Sequence, residues 1–180
     1  MRPYPGGKHS LREGDRRHSA GFTLAELVGT MLIVGILSGV SVLSLNGLSA
    51  SQQNVAATRV RTAMIFAQEW AMGSSNDTWV DFDLSGDLVS VYVEDPSNPG
   101  KSGRLTMTDP LSRGAMTIQL GSAGVGLESA SFGTTTELQF DAEGMPHDGS
   151  GGALSSDGTI SVTGGIVVRV TRNTGLVTID

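Results

Sequence analysis

The most constraining feature of this sequence is an uncharged, largely apolar stretch from Leu27 to Leu45. A helix rises about 1.5 Å per residue, so a helix here is roughly long enough to cross the hydrocarbon core of a membrane, about 30 Å thick. Glu26 lies at the amino-terminal edge, where a carboxylate in lipid costs on the order of 3 kcal/mol unless it finds a partner. Cleavage after Gly21 would supply one, because the amine of Phe22 would become a terminal cation. We therefore predict a membrane or filament-core helix with a functional carboxylate.

The residues around Glu26 form a recognisable pattern. A basic leader ends in Gly21 and is followed by Phe22-Thr23-Leu24-Ala25-Glu26-Leu27. This pattern resembles the class III signal of type IV pilins and type II secretion pseudopilins. The resemblance implies cleavage between Gly21 and Phe22 by a prepilin peptidase, N-methylation of Phe22, and assembly on an inner-membrane platform with other pilin or pseudopilin subunits. It also implies that Glu26 neutralises the terminal amine of a neighbouring subunit, which would remove an unpaired charge from an apolar bundle.

Charge placement predicts the topology. The leader carries five basic and two acidic residues, so its removal would change the formal net charge from −6 to −9. Basic residues before an apolar segment tend to stay in the cytoplasm. We therefore expect a single-pass protein of the bacterial inner membrane with a periplasmic carboxy-terminal domain. The alternative is an ordinary secretory signal cleaved near Ser51, which is less favoured because a glutamate inside the apolar segment is unusual there.

The sequence pattern divides the chain into a leader (1–21), a transmembrane or filament-core helix (22–48) and a periplasmic domain (49–180). Within the domain, a helix is predicted over 49–72 and a β-rich region over 77–180. The helix is predicted from apolar residues at three- and four-residue spacings, namely Ala56, Val60, Ala63, Met64, Ala67, Trp70 and Ala71. Asn46-Gly47 is a poor helix interior, and a bend there is left open.

Alternating apolar residues predict the strands. One hairpin is expected from Trp79–Leu84 and Leu88–Val93, and another from Ile166–Thr171 and Leu176–Ile179. The Gly/Ser-rich segment Gly144–Gly158 is predicted to be a mobile loop that buries little apolar area. Further short strands are expected at Arg104–Thr108, Ala115–Leu120 and Glu137–Asp141.

The carboxy-terminal half resembles, more weakly, the GspH/FimT family of minor pilins and pseudopilins. The matching residues are Phe140-Asp141 with Gly144, then Gly158–Val162, then Gly175–Ile179. The resemblance implies an α+β fold, in which a long amino-terminal helix packs on a small, mostly antiparallel two-sheet β domain.

Two groups of acidic residues are candidate calcium ligands, and neither is favoured. Asp81-x-Asp83-x-Ser85-Gly86 matches the start of a calcium loop, but position twelve is Tyr92 instead of glutamate, so a plain hairpin is preferred. The second group lies around a loop, and we interpret its carboxylates as solvated charges in preference to calcium ligands. Its members are Asp141, Glu143, Asp148 and Asp157. The glycines Gly121, Gly124 and Gly126 lack dinucleotide spacing and are interpreted as a turn. No metal or cofactor is predicted.

Catalysis and nucleic-acid binding are poorly supported. The chain has no cysteine, and His147 is the one histidine beyond the leader. We expect it to be an exposed loop residue, which is unsuited to catalysis. Trp70 and Trp79 are interpreted as core residues. The basic pair Arg169 and Arg172 is too small to hold DNA against the net negative charge, so no nucleic-acid partner is expected.

These features together predict a structural, non-enzymatic minor pseudopilin of a type II secretion system. Its expected partners are pilin or pseudopilin subunits, the prepilin peptidase, the assembly platform and membrane lipid. The alternatives are a minor pilin of a type IV pilus, including one linked to DNA uptake, and a single-pass membrane-anchored binding domain.

Overall fold

A computed structural model describes residues 23–121 and 124–180. The described chain divides into two units, the first ending at Val42 and the second spanning Leu43–Asp180. The long helix α1 runs from Leu24 to Ser74 and belongs to both. It remains helical at Asn46-Gly47, since one interior glycine costs only about 1 kcal/mol relative to alanine.

In the first unit, α1 presents exposed side chains throughout its described part. Every residue from Thr23 to Ile36 is exposed. The described residues contain no helical stretch that is both long and apolar enough to span a membrane. The predicted apolar run Leu27–Leu45 also includes residue 37 and residues 39–45, whose side chains lie outside the described part.

In the second unit, one face of α1 packs on the β domain. The predicted face is confirmed, because its alanines, Val60 and Met64 are buried. The interpretation of Trp70 as a core residue is wrong, since 45% of its surface is exposed. Neighbouring helix residues are about 100° apart, so Trp70 lies on the flank when Ala71 faces the sheet.

The β domain contains two antiparallel sheets, as the resemblance implied. The strands are β1 Thr78–Asp83, β2 Leu88–Val93, β3 Leu105–Thr106, β4 Thr117–Gln119, β5 Leu127–Ser131, β6 Glu137–Phe140, β7 Pro146–Asp148, β8 Gly158–Val162, β9 Ile166–Val170 and β10 Val177–Ile179. A short 3-10 helix spans Lys101–Gly103. In the first sheet the strand order is β3-β2-β1-β6-β7, with β4 also paired to β2, and in the second it is β10-β9-β8-β5.

The two predicted hairpins are confirmed as β1–β2 and β9–β10. The prediction of a mobile loop over Gly144–Gly158 is wrong for much of that segment, because β7 pairs with β6 and Leu154 is buried. Main-chain pairing orders this segment, although its side chains do not alternate. Strand β5 was not predicted, because after buried Leu127 its residues are exposed or half-buried and do not alternate between apolar and polar.

Hydrogen bonds fasten α1 to both sheets. Thr78 at the start of β1 donates its hydroxyl to the carbonyl of Ala67 at 3.0 Å. Gln68 Nε2 donates to the carbonyl oxygens of Gly144 at 2.9 Å and Thr174 at 3.2 Å, in the β6–β7 and β9–β10 turns. Trp79 is buried, as predicted, but strand alternation places it on the face of β1 opposite the one that carries Thr78.

Candidate assembly site

The amino terminus of α1 is closed by a reciprocal pair of side chains. Thr23 donates its backbone N–H and its hydroxyl to Glu26 Oε2, each at 3.3 Å. Glu26 donates its backbone N–H to Thr23 Oγ1 at 3.2 Å. This is a capping box, in which two N–H groups at the helix start are satisfied by side chains. This cap was not predicted, although the Thr-x-x-Glu spacing in the sequence indicates it.

The cap fixes where the carboxylate of Glu26 lies. It is held in the first turn of α1, where the positive end of the helix dipole favours a negative charge. Glu26 Oε2 accepts the two bonds from Thr23, whereas Oε1 accepts none among the described residues. A carboxylate has about four lone-pair sites. Glu26 can therefore cap its own helix and accept bonds from an external cation at the same time.

An exposed apolar surface surrounds this carboxylate. Leu24 is 81% exposed and Met31 68% exposed. Apolar side chains on every side of a helix are typical of helices that are buried among other helices or in lipid. Gly21 and Phe22 lie outside the described residues, so cleavage between them, methylation of Phe22 and pairing of its amine with Glu26 stay predictions. Within residues 23–36, the large apolar side chains that are exposed are Leu24, Leu27, Val28, Met31, Leu32, Ile33, Val34 and Ile36.

The calcium-like segment is a hairpin turn, as preferred from the sequence. Asp83 Oδ1 accepts the N–H of Ser85 at 3.0 Å, its hydroxyl at 2.6 Å, and the N–H of Gly86 at 3.0 Å. These bonds stabilise the ionised carboxyl and lower the pKa of Asp83 below its usual value. Asp148 organises a similar turn through Ser150 and Gly152. Among residues 23–121 and 124–180, no group of three or more Asp, Glu or His side chains is arranged to hold a metal ion.

The interpretation of His147 as an exposed loop residue is wrong. His147 lies in β7, is half-buried, and places Nε2 2.9 Å from Asp141 Oδ2. A carboxylate can only accept, so Nε2 carries the donated proton. Asp141 Oδ1 accepts the N–H groups of Glu143 at 3.0 Å and Met145 at 2.8 Å. The pair therefore joins β7 to the preceding turn.

Several basic side chains of the β domain are occupied by intramolecular partners. Arg169 Nε lies 2.7 Å from Asp180 Oδ2, and Arg172 Nη1 donates to the carbonyl of Ser155 at 2.5 Å. Lys101 and Arg104 both pair with buried Glu137. Such pairing reduces the positive charge that these residues offer to phosphates.

Comparisons with known proteins agree with this description. Residues 16–42 match the prokaryotic N-terminal methylation motif. The fold is similar to that of the minor pseudopilin EpsH from the type 2 secretion system of Vibrio cholerae, with a TM-score of 0.54 and 13% identity over 71% of this chain and 94% of EpsH. It is also similar to the type IV minor pilin FimU of Pseudomonas aeruginosa, with a TM-score of 0.50 and 14% identity over 73% of this chain and 90% of FimU. No curated protein sequence matches the chain significantly.

The chain thus combines an amino-terminal stretch that matches the methylation motif with a pilin-like fold. The long helix and paired antiparallel sheets are the fold of EpsH and FimU, one a minor pseudopilin and the other a minor pilin. The predicted family resemblance and the predicted fold class are both confirmed.

Proposed function

We propose that this protein is a structural minor pseudopilin of a type II secretion system. Prepilin peptidase cleaves it between Gly21 and Phe22, and Phe22 is N-methylated. Segment 22–48 lies in the inner membrane before assembly and in the filament core afterwards, while domain 49–180 is periplasmic. The assembly platform and other pseudopilin subunits are its partners. The observation that carries this proposal is Glu26, a charge at the start of an exposed apolar helix within a methylation motif.

The proposed assembly step is a charge neutralisation. The terminal ammonium of a neighbouring subunit binds Glu26 Oε1, while Oε2 stays with Thr23. Both charges then enter the apolar bundle as a hydrogen-bonded pair, which avoids the large desolvation cost of an isolated ion. The cap need not open for this pairing to occur.

The protein has no catalytic step in this proposal. The side chains best suited to proton transfer have structural partners: His147 is held by Asp141, and Glu137 by Lys101 and Arg104. The structural neighbours EpsH and FimU are described as a minor pseudopilin and a minor pilin, which supports a structural role here.

A minor pilin of a type IV pilus is the second candidate, because FimU shares the fold. The pairing of Arg169 and Arg172 within the domain favours secretion over DNA uptake. Deleting the gene in its host separates the two: loss of protein secretion with normal pilus function supports the pseudopilin, and the reverse pattern supports the pilin.

Two substitutions test the role of Glu26. Glu26→Gln keeps an oxygen that can accept from Thr23 and removes the charge, whereas Thr23→Val removes the capping hydroxyl and keeps the charge. We expect both variants to be processed, and only Glu26→Gln to lose more than about tenfold of its incorporation into filaments, as for a lost buried ion pair. Co-purification with partner subunits measures incorporation. Normal incorporation of Glu26→Gln would refute the neutralisation step.

A further inference from the structure

A groove lies on the exposed flank of α1 near its carboxyl end. It is lined by Phe66, Glu69, Trp70, Gly73 and Ser74 and has a volume of about 350 Å³. The Phe66 and Trp70 ring centroids are 6.2 Å apart, and 45% of Trp70 is exposed. We call this feature the helix-end groove. A Trp exposed this far on an otherwise well-packed domain indicates a contact surface, because aromatic residues are enriched at the buried centres of interfaces.

Gly73 contributes no side chain to the helix-end groove. A Cβ built at Gly73 meets nothing within 4 Å, so no neighbour requires glycine there. Helix termination does not require it either, since the residue with positive φ after α1 is Ser75, at 54°. Glycine in a helix costs roughly 1 kcal/mol relative to alanine. The described contacts of the domain therefore give no reason for this glycine, whereas an open groove does.

A complementary feature projects from the turn between β3 and β4. Leu111 at its apex is 93% exposed. Asp109 fixes the turn, because its carboxylate accepts the N–H of Leu111 at 2.9 Å and the hydroxyl of Ser112 at 2.7 Å, and its carbonyl accepts the N–H of Arg113 at 2.8 Å. We call residues 109–114 the apex loop. Its internal bonds order the loop in advance, so little conformational entropy is lost on docking.

We propose that the apex loop of one copy docks into the helix-end groove of a second copy. Leu111 inserts beside Phe66 and Trp70, and Arg113 pairs with Glu69. The charges are complementary, and in the described part of the chain neither Arg113 nor Glu69 has an ion-pair partner. Leu111 and Arg113 are two residues apart, so their Cα atoms are at most about 7 Å apart. This distance is similar to the rise of one turn of α1, the helix that carries the groove.

This contact joins two different surfaces of the same protein. A heterologous contact of this kind propagates head to tail and does not close into a symmetric dimer, unless its rotation forms a ring. The contact lies entirely within the domain and does not involve Glu26. It therefore stands or falls independently of the proposed neutralisation step.

Disulfide trapping in the full chain tests the contact, because the native sequence has no cysteine. Ser74→Cys places a thiol at the groove and Pro110→Cys places one at the apex loop, while Leu111 and Trp70 are kept. Intact cells that express the double variant are oxidised with copper phenanthroline and analysed on non-reducing gels. We expect a ladder of dimers, trimers and larger species. A matched control pairs Ser74→Cys with Leu105→Cys, which lies on an exposed strand outside the apex loop.

Two perturbations are then made in the double-cysteine chain. Gly73→Leu fills the groove and Leu111→Ala removes the inserted side chain, and each should reduce the cross-linked fraction roughly tenfold or more, as expected for one lost leucine contact. Glu69→Arg or Arg113→Glu alone should reduce it about two- to fivefold, and both together should restore it.

Three results would overturn the proposal. They are the absence of a ladder, a ladder of equal strength from the Leu105→Cys control, and failure of the paired charge reversal to restore cross-linking. Dimers that form as readily from Ser74→Cys alone would show that the groove docks against itself, which also contradicts the proposal.

Discussion

Gly158 at the start of β8 is a position where one added methyl group should measurably destabilise the domain. A Cβ built there lies 2.4 Å from Phe132 Cδ1 and 2.6 Å from Cε1. Phe132 is fully buried and stacks on Phe82, with ring centroids 5.5 Å apart. Because Phe82 lies in the first sheet and Gly158 in the second, the close approach of Gly158 to Phe132 is part of the packing between them.

The expected cost of Gly158→Ala follows from this geometry. Carbon atoms in contact are normally 3.5–4.0 Å apart, so the ring of Phe132 must move by more than 1 Å. Overpacking of a buried site costs about 1–3 kcal/mol. Phe132→Leu shortens the clashing side chain, and it should recover part of that cost when combined with Gly158→Ala. The two substitutions should therefore show a coupling of about 1 kcal/mol or more.

Urea unfolding of residues 50–180, followed by circular dichroism, measures these free energies. Gly114→Ala is the matched control, because its Cβ would meet only Ser112 Oγ, at 3.5 Å, and its φ is not positive. We expect the control to change the free energy of unfolding by less than about 0.5 kcal/mol. A Gly158→Ala domain as stable as the parent, or additive effects with Phe132→Leu, would refute the packing argument.

Three further predictions concern processing, pH and charge. Mass spectrometry of the membrane-fraction protein should show a chain that begins at methylated Phe22, and Gly21→Ala should slow its appearance; an uncleaved chain as the normal species would contradict this. Burial and the nearby Glu94 raise the pKa of the Asp77 carboxyl in the folded protein. The protonated carboxyl therefore contributes stability below its unfolded pKa of about 3.8, and this contribution is lost as pH rises through the folded pKa. Asp77→Asn should therefore raise the urea midpoint at pH 7 and leave it nearly unchanged at pH 3. Gel-shift assays at physiological salt should detect no binding to double-stranded DNA, and micromolar, salt-sensitive binding would favour a DNA-uptake pilin.

The sequence predicted those parts of the fold whose side chains repeat regularly. The buried face of α1 follows a helical period, and the β1–β2 hairpin alternates cleanly around a turn. Strand β7 has no such signal, because Pro146–Asp148 is ordered by main-chain pairing with β6. The pairing of His147 with Asp141 was missed for the same reason, since it depends on that register.

In the candidate site, the structure places Glu26 in the first turn of α1, whereas its pairing with a terminal amine stays a prediction. Glu26 was identified from the sequence because a charge beside an apolar run needs a partner. This requirement can be recognised without knowing any tertiary contact. The cap with Thr23 was readable from the spacing alone. Trp70 was misplaced because it precedes Ala71 directly: neighbouring helix residues are about 100° apart, so Trp70 lies on the flank of α1 while Ala71 is fully buried.

The capping box also has a consequence for how quickly a subunit can be added to a filament. A free glutamate side chain explores several rotamers, and a binding event that fixes them loses conformational entropy. Thr23 has already restricted Glu26 in the isolated chain, so much of that loss precedes any encounter. In the proposed filament, an incoming ammonium would meet an acceptor that is already oriented. A larger fraction of encounters between subunits would therefore lead to pairing.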